Sequence, residues 1–236
     1  LAQPLPFVVP GYKAWEPGWY GMGLKLYDTL AGRRGLGATR WLSAGQTAEL
    51  LPGARSDGLR GGVLYWDGQF DDARLALALA RTAAARGALV LNHLAVTGLR
   101  QQRGQVRGLQ LRDGPSGEAF EIEAACVVNA TGVWVDAVRG MERAADAPPP
   151  QPMVAPSQGV HLVVDRSFLP GHHALMVPRT DDGRVLFAVP WLGKTVLGTT
   201  DTPRDDLVME PRPFAHEVDF ILREAGRYLR RAPQRG

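Results

Sequence analysis

The chain has 236 residues, 45% hydrophobic and 22% charged, with a formal net charge of +3. That is the size and balance of one large or two small globular domains. Its single cysteine, Cys126, excludes an intrachain disulfide framework and a cysteine-built zinc site. The basicity is too mild and dispersed to point to nucleic acid, and no apolar run approaches the ~20 residues that span a bilayer.

Residues 1–60 read as an aromatic, helix-leaning segment. Trp15, Trp19, Tyr20, Met22, Leu26 and Leu30 recur near helical spacing before the Gly-Arg-Arg-Gly break at 32–35. GGVLYWDGQ follows as a short strand bounded by glycines, and then FDDARLALALARTAAARG as a helix. Asp71 or Asp72 can cap that helix, since a carboxylate oxygen there meets backbone N–H groups without helical partners. Leu75, Leu79 and Ala83 share one face, and Gly87 is the natural stop. ALVLNHLAV (88–96) and CVVNATG (126–132) are near-continuous in apolar residues, as strands covered on both faces are. Between them, 106–112 and 119–123 alternate around Asp113-Gly114-Pro115-Ser116-Gly117 and predict a hairpin. VWVDAVRGM then predicts a short helix.

Ala144–Pro150 is an Ala/Pro linker, and beyond it the texture changes. Residues 159–165, 174–178, 185–190 and 194–199 predict short strands of a mostly antiparallel sheet, with Asp181-Asp182-Gly183 as a turn. Pro213 opens a helix with Val218, Ile221, Leu222, Ala225 and Leu229 on its apolar face. The fold class is therefore α/β in two parts. An α/β layer with an inserted β-meander precedes an antiparallel sheet carrying helices. The start at Leu1 and the end RRAPQRG, straight after a predicted helix, read as an internal stretch of a longer protein.

Few residues here carry chemistry. In VVNATGVW (127–134), a strand ending in small residues and glycine lets backbone approach a phosphate or ribose; the alternative is an ordinary strand-to-helix turn. His161 is the candidate acid/base, because imidazole has the pKa to take a hydroxyl proton. Period-2 alternation places Gly159, His161 and Val163 on one strand face and the wholly apolar Val160, Leu162 and Val164 on the other. The second set should be core, so His161 can line a cleft; the alternative is a hydrogen-bonded strand histidine. Gly198-Thr199-Thr200-Asp201 could face a ligand, or simply end a strand. His93 reads as structural, and His172, His173 and His216 fit no metal-ligand spacing. The arginines at 223, 227, 230, 231 and 235, and the aromatic first helix with Lys25, Arg33 and Arg34, are candidate membrane-surface patches or plain solvated faces.

Six ordered blocks carry a resemblance: LAQPLPFVVP, GGVLYWDGQFDDARLALALA, VVNATGVWVD, SQGVHLVVDRSFLP, TDDGRVLFAVPW and GTTDTP. Together they resemble FAD-dependent, quinone-linked glycerol-3-phosphate dehydrogenase over nearly the whole chain. The resemblance implies FAD as cofactor and oxidation of sn-glycerol 3-phosphate to dihydroxyacetone phosphate. It implies a quinone acceptor at the inner, cytoplasmic face of the cell membrane, and leaves room for a homodimer. His161 then matches the family's active-site histidine. Ala130, Thr131, Gly132 and Trp134 match its flavin-contacting stretch, and Val96 the strand end that supports adenine. Ser157, Gln158 and Thr200 fall in the substrate region.

On that basis 1–60 belongs to the substrate or cap region, 61–145 to a partial FAD-binding domain and 146–236 to the substrate-binding sheet and helix. The family's opening G-x-G-x-x-G has no counterpart here, since Gly35-Leu36-Gly37 follows no apolar strand and has Arg40 where the last glycine belongs. FAD binding and turnover are therefore expected of the full-length protein and not of this stretch alone. An oxidase passing electrons to oxygen and a non-catalytic binding module are the alternatives.

Overall fold

The computed structural model describes residues 1–142, 148 and 151–235. The strands are β1 (Ala2–Gly11), β2 (Arg40–Ser43), β3 (Gly61–Phe70), β4 (Leu94–Gln102), β5 (Gln105–Asp113), β6 (Ala119–Glu123), β7 (Ser157–Gln158), β8 (His161–Asp165), β9 (Ala174–Val177), β10 (Leu186–Trp191), β11 (Lys194–Gly198) and β12 (Thr202–Pro203). The helices are α1 (Glu16–Ala31), α2 (Ala44–Leu50), α3 (Asp72–Ala85), α4 (Val135–Gly140) and α5 (Ala215–Tyr228). The architecture is mixed α/β, as the sequence predicts. The predicted linker at 144–150 lies outside the described residues apart from Pro148.

The chain divides into two compact units, one of residues 1–75, 158–202 and 211–236, the other of 76–157 and 203–210. These cuts differ from the expected 1–60, 61–145 and 146–236. The reason is β1, which the helix-leaning reading of the first 60 residues missed. It pairs antiparallel with β3 along its whole length, from Ala2–Phe70 to Gly11–Gly61, and so draws β3 into the first unit. Pro4, Pro6 and Pro10 argue against a strand, since proline cannot donate to a ladder. All three occupy even positions, whereas the odd Leu1 and Gly11 carbonyls accept from Asp71 and Arg60 at the β3 side. The missing N–H groups therefore face β9, which pairs with β1 only at Phe7 and Val8.

The first unit is built on a seven-stranded sheet in the order β2-β3-β1-β9-β10-β11-β8. The predicted strands β8 to β11 are all present, and their mutual pairings are antiparallel. The Asp181-Asp182-Gly183 turn joins β9 to β10, Thr180 N–H donating to the Arg184 carbonyl at 2.8 Å. One sheet face presents Val8, Leu42, Leu64, Leu175, Val177, Leu186, Ala188 and Leu197, packed with Ile221, Ala225 and Leu229 of α5 and its C-terminal flank. The other presents Leu5, Phe7, Val9, Val63, Tyr65 and Ala174, covered in part by Tyr20 and Leu24 of α1.

The second unit holds the three-stranded meander β4-β5-β6, with the predicted hairpin at 113–117. There Asp113 Oδ2 accepts Ser116 N–H at 2.9 Å. Helix α3 is capped as expected, Asp71 Oδ1 accepting Arg74 N–H at 3.0 Å, and it ends before Gly87 at φ 92°. The expectation of covered strands at 88–96 and 126–132 fails: β4 starts only at Leu94, and 88–93 and 126–130 join no ladder among the described residues. Leu89 and Val128 are 84% and 81% exposed, and Leu75 and Leu79 on α3 are exposed too. An apolar run becomes a buried strand only when neighbouring strands and covering layers receive it, and the described residues supply neither.

Candidate functional site

His161 opens β8, opposite Gly198 of β11 in the antiparallel register. The burial of β8 follows the predicted alternation. Val160, Leu162 and Val164 pack on the main core, while His161 and Val163 are exposed. The imidazole lies over Gly198, where an added Cβ would stand 2.5 Å from His161 Cδ2 and 2.9 Å from the Val160 carbonyl oxygen. A glycine at this position makes the room the ring occupies.

His161 forms part of the wall of a cleft of about 440 Å³ on the sheet face that α1 leaves open, with Leu5 and Phe7 of β1, Gln69 of β3, and Val189 and Trp191 of β10. An adjoining pocket shares His161 and Phe7 and is closed by Asp67, Phe187 and Gly198. Phe7 and Phe187 meet edge to face at 5.7 Å. Below them the Tyr65 hydroxyl donates to Met176 Sδ at 3.3 Å. Burial, with the Asp67 carboxylate adding to it, pushes the Tyr65 phenol above its usual range, so it stays neutral. The site is thus a largely apolar, aromatic recess bordered by one imidazole and by the Asp67 and Asp72 carboxylates. An imidazole so placed can accept a proton from a bound hydroxyl.

The other residues expected at the substrate behave differently. Ser157 is exposed. Gln158 and Thr200 are buried, and their side chains turn to a carboxylate that the sequence reading missed. Glu217, in the first turn of α5, is 1% exposed. Its Oε2 accepts Gln158 Nε2 at 2.6 Å and Phe214 N–H at 2.8 Å, and its Oε1 accepts the Thr202 hydroxyl at 2.6 Å and the Thr200 hydroxyl at 3.2 Å. Burial alone would raise this carboxyl. The bonds from Thr202, the Phe214 N–H, Gln158 and Thr200 outweigh it and hold the group below the usual glutamate range. A Glu three residues after the N-cap Phe214, reaching back to the N-cap N–H, is a capping signal that could have been read from the sequence.

The expected cofactor residues lie in the second unit. Ala130, Thr131, Gly132 and Trp134 form one exposed turn into a single 3₁₀ turn at 132–134 and then α4. The Thr131 hydroxyl donates to Asn129 Oδ1 at 2.8 Å, and Asn129 Nδ2 donates to the Val135 carbonyl at 2.9 Å, which braces the turn. Gly132 has φ 58° and open space where a Cβ would stand. Backbone at this turn is therefore open to approach by a ligand. Val96 sits within β4, opposite Leu111, and not at a strand end.

The model of the FAD dependent oxidoreductase family matches residues 17–235, and the chain belongs to that family. It is 40% identical over 235 residues to the mitochondrial glycerol-3-phosphate dehydrogenase of Homo sapiens, covering 97% of this chain and 32% of the relative. The mitochondrial glycerol-3-phosphate dehydrogenase SDP6 of Arabidopsis thaliana is 41% identical, at 97% and 37% coverage. This chain therefore spans about a third of the length of the curated relatives it matches. Among solved structures, the glycerol-3-phosphate dehydrogenase from Bacillus halodurans complexed with FAD superposes with TM-score 0.77 at 32% identity, over 98% of this chain and 42% of that one. The FAD-bound L-alpha-glycerophosphate oxidase from Mycoplasma pneumoniae shares the fold, with TM-score 0.67 at 16% identity, over 97% and 57%.

Proposed function

We propose that the full-length protein oxidises sn-glycerol 3-phosphate to dihydroxyacetone phosphate, with quinone as final acceptor. Bound FAD would supply the hydride acceptor. The observation that carries the reading is His161 at the wall of a largely apolar cleft that Gln69 and Asp72 also border, in the block that matches the family's active-site histidine. Its imidazole takes the proton of the C2 hydroxyl as hydride leaves C2, and the aromatic wall keeps water from the reacting carbon. The turn at Ala130, Thr131, Gly132 and Trp134, with Val96, belongs to the cofactor. Ser157, Gln158 and Thr200 shape the substrate region, the last two through Glu217. In the full-length protein, His161→Ala should lower kcat for glycerol 3-phosphate about 10²–10⁴-fold with flavin still bound. A rate within a few-fold of wild type, with an unchanged pH profile, would remove the proton-transfer role. Rapid oxygen consumption without quinone would identify an oxidase instead.

The same reading places the protein peripherally on the inner face of the cell membrane. Among the described residues no helix is long and apolar enough to cross a membrane. Trp15, Trp19, Met22, Leu26 and Leu30 run along α1 and its N-cap at helical spacing, between 58% and 80% exposed. Lys13, Lys25, Arg33 and Arg34 lie beside them in the chain. Trp and Leu over a basic flank is the composition of an interfacial helix. Cosedimentation with phosphatidylglycerol vesicles should fall in Trp19→Ser/Leu30→Ser and in high salt; binding unaffected by both would move the membrane contact elsewhere.

A further inference from the structure

We infer that Glu217 is a positioning residue for His161, acting through Thr200 and the chain just before the histidine. This rests on the reading of His161 as the proton acceptor. Four observations lead to it. Glu217 is almost wholly buried yet ionised, with four donors on its two oxygens, Gln158, Thr200, Thr202 and the Phe214 N–H. The Thr200 hydroxyl that donates to it also accepts the Val160 N–H at 3.0 Å. Gln158 and Val160 flank Gly159 and run directly into His161, so two of the three residues before the histidine are held by this cage. Thr200 in turn follows Gly198 by two residues, and Gly198 is the floor under the imidazole.

The cage thus ties both strands that define the ring's position, the start of β8 and the end of β11, to the first turn of α5. A buried carboxylate is costly to desolvate and stays charged only where fixed donors replace water. Once satisfied, it leaves each donor a single arrangement. Helix α5 brings Glu217 from 59 residues beyond Gln158, which is why the cage is invisible to any local reading of SQGVHLVV. Gln158 and Thr200 fall in the matched blocks and look like substrate contacts. Their side chains are instead committed to holding the backbone on which His161 stands.

The test is a double-mutant cycle in the full-length protein, reading kcat and KM for glycerol 3-phosphate, flavin content and the pH profile of kcat. Glu217→Gln should lower kcat about 10- to 100-fold, the scale of a misplaced catalytic group, with flavin retained and the acid limb displaced. Placed on His161→Ala, it should cost no more than about twofold further, because the group it positions is gone. Thr200→Val should act like Glu217→Gln, and Thr200→Ser, which keeps the hydroxyl, should restore the rate. Equal losses from Glu217→Gln in both backgrounds, or a wild-type rate, would overturn the inference and leave His161 catalytic. If Glu217→Gln fails to fold, the Thr200 pair decides: Val and Ser variants with the same rate would overturn it. A wild-type rate in His161→Ala alone would instead remove the reading beneath it.

Discussion

The two faces of the seven-stranded sheet use alternate residues of the same strands for different ends. On one face Leu175, Leu186, Ala188 and Leu197 are at most 1% exposed beneath α5. On the other, Phe187, Val189 and Val196, their immediate chain neighbours, border the cleft with His161. On the closed face α5 layers over the sheet, so Leu175, Leu186 and Leu197 leave water almost entirely, each worth about 1.5–3 kcal/mol. The open face is covered by α1 only near Tyr20 and Leu24, and Val163 beyond the cleft is 67% exposed. Because side chains in a strand alternate, one short segment such as LFAVPW supplies both a core and a site wall. Stability and chemistry can then be altered one residue apart.

That separation can be broken by experiment. The largest effect should come from the open face: His161→Ala, with its loss of about 10²–10⁴-fold in kcat, should leave the thermal midpoint of the full-length protein nearly unchanged. A large drop in midpoint would mean that His161 is a structural residue and the two faces are not separable. Leu175→Ala on the closed face should do the reverse, costing about 2–5 kcal/mol in urea unfolding, with kcat little changed in the fraction that stays folded. Gly198→Ala probes the boundary. Its methyl would press on the imidazole, so kcat should fall about tenfold or more with a smaller stability cost than Leu175→Ala. An unchanged rate would show that the ring can stand elsewhere.

The smallest effect expected is in the pH dependence of stability. The folded-state carboxyl of Glu217 is held below its unfolded value. Its contribution is therefore fully present above the unfolded pKa of about 4.3 and is lost as pH falls through the folded value. The stability gap between wild type and Glu217→Gln should be about 1–3 kcal/mol at neutral pH, and should narrow below about pH 4. A gap that stays constant down to pH 2 would mean that the carboxyl is not ionised in the fold.

Much of the first unit was legible before its coordinates. The alternation in HLVVD, LFAVPW and KTVLG placed β8, β10 and β11 and assigned the right face to His161, because a half-buried strand writes its orientation into its period. The cap at Asp71 and the turns at 113–117 and 181–183 were equally local, each set by a few neighbouring groups. Strand β1 was not legible, since its prolines look like strand breakers until it is known which edge their missing N–H groups face. Segments 88–93 and 126–130 misled in the opposite direction, because apolar composition reports a capacity for burial, while burial itself needs a neighbour.

The sequence by itself determined the family, the order of most elements and the candidate histidine, since these depend on spacing and on residues close in the chain. Tertiary structure alone decided that β1 and β3 join the sheet carrying His161, that Gly198 makes room beneath its ring, and that Gln158 and Thr200 close on Glu217. Each of these depends on side chains brought together from distant parts of the chain. Such a contact leaves no local pattern, because its free energy comes from excluding water between partners that only the completed fold places within reach.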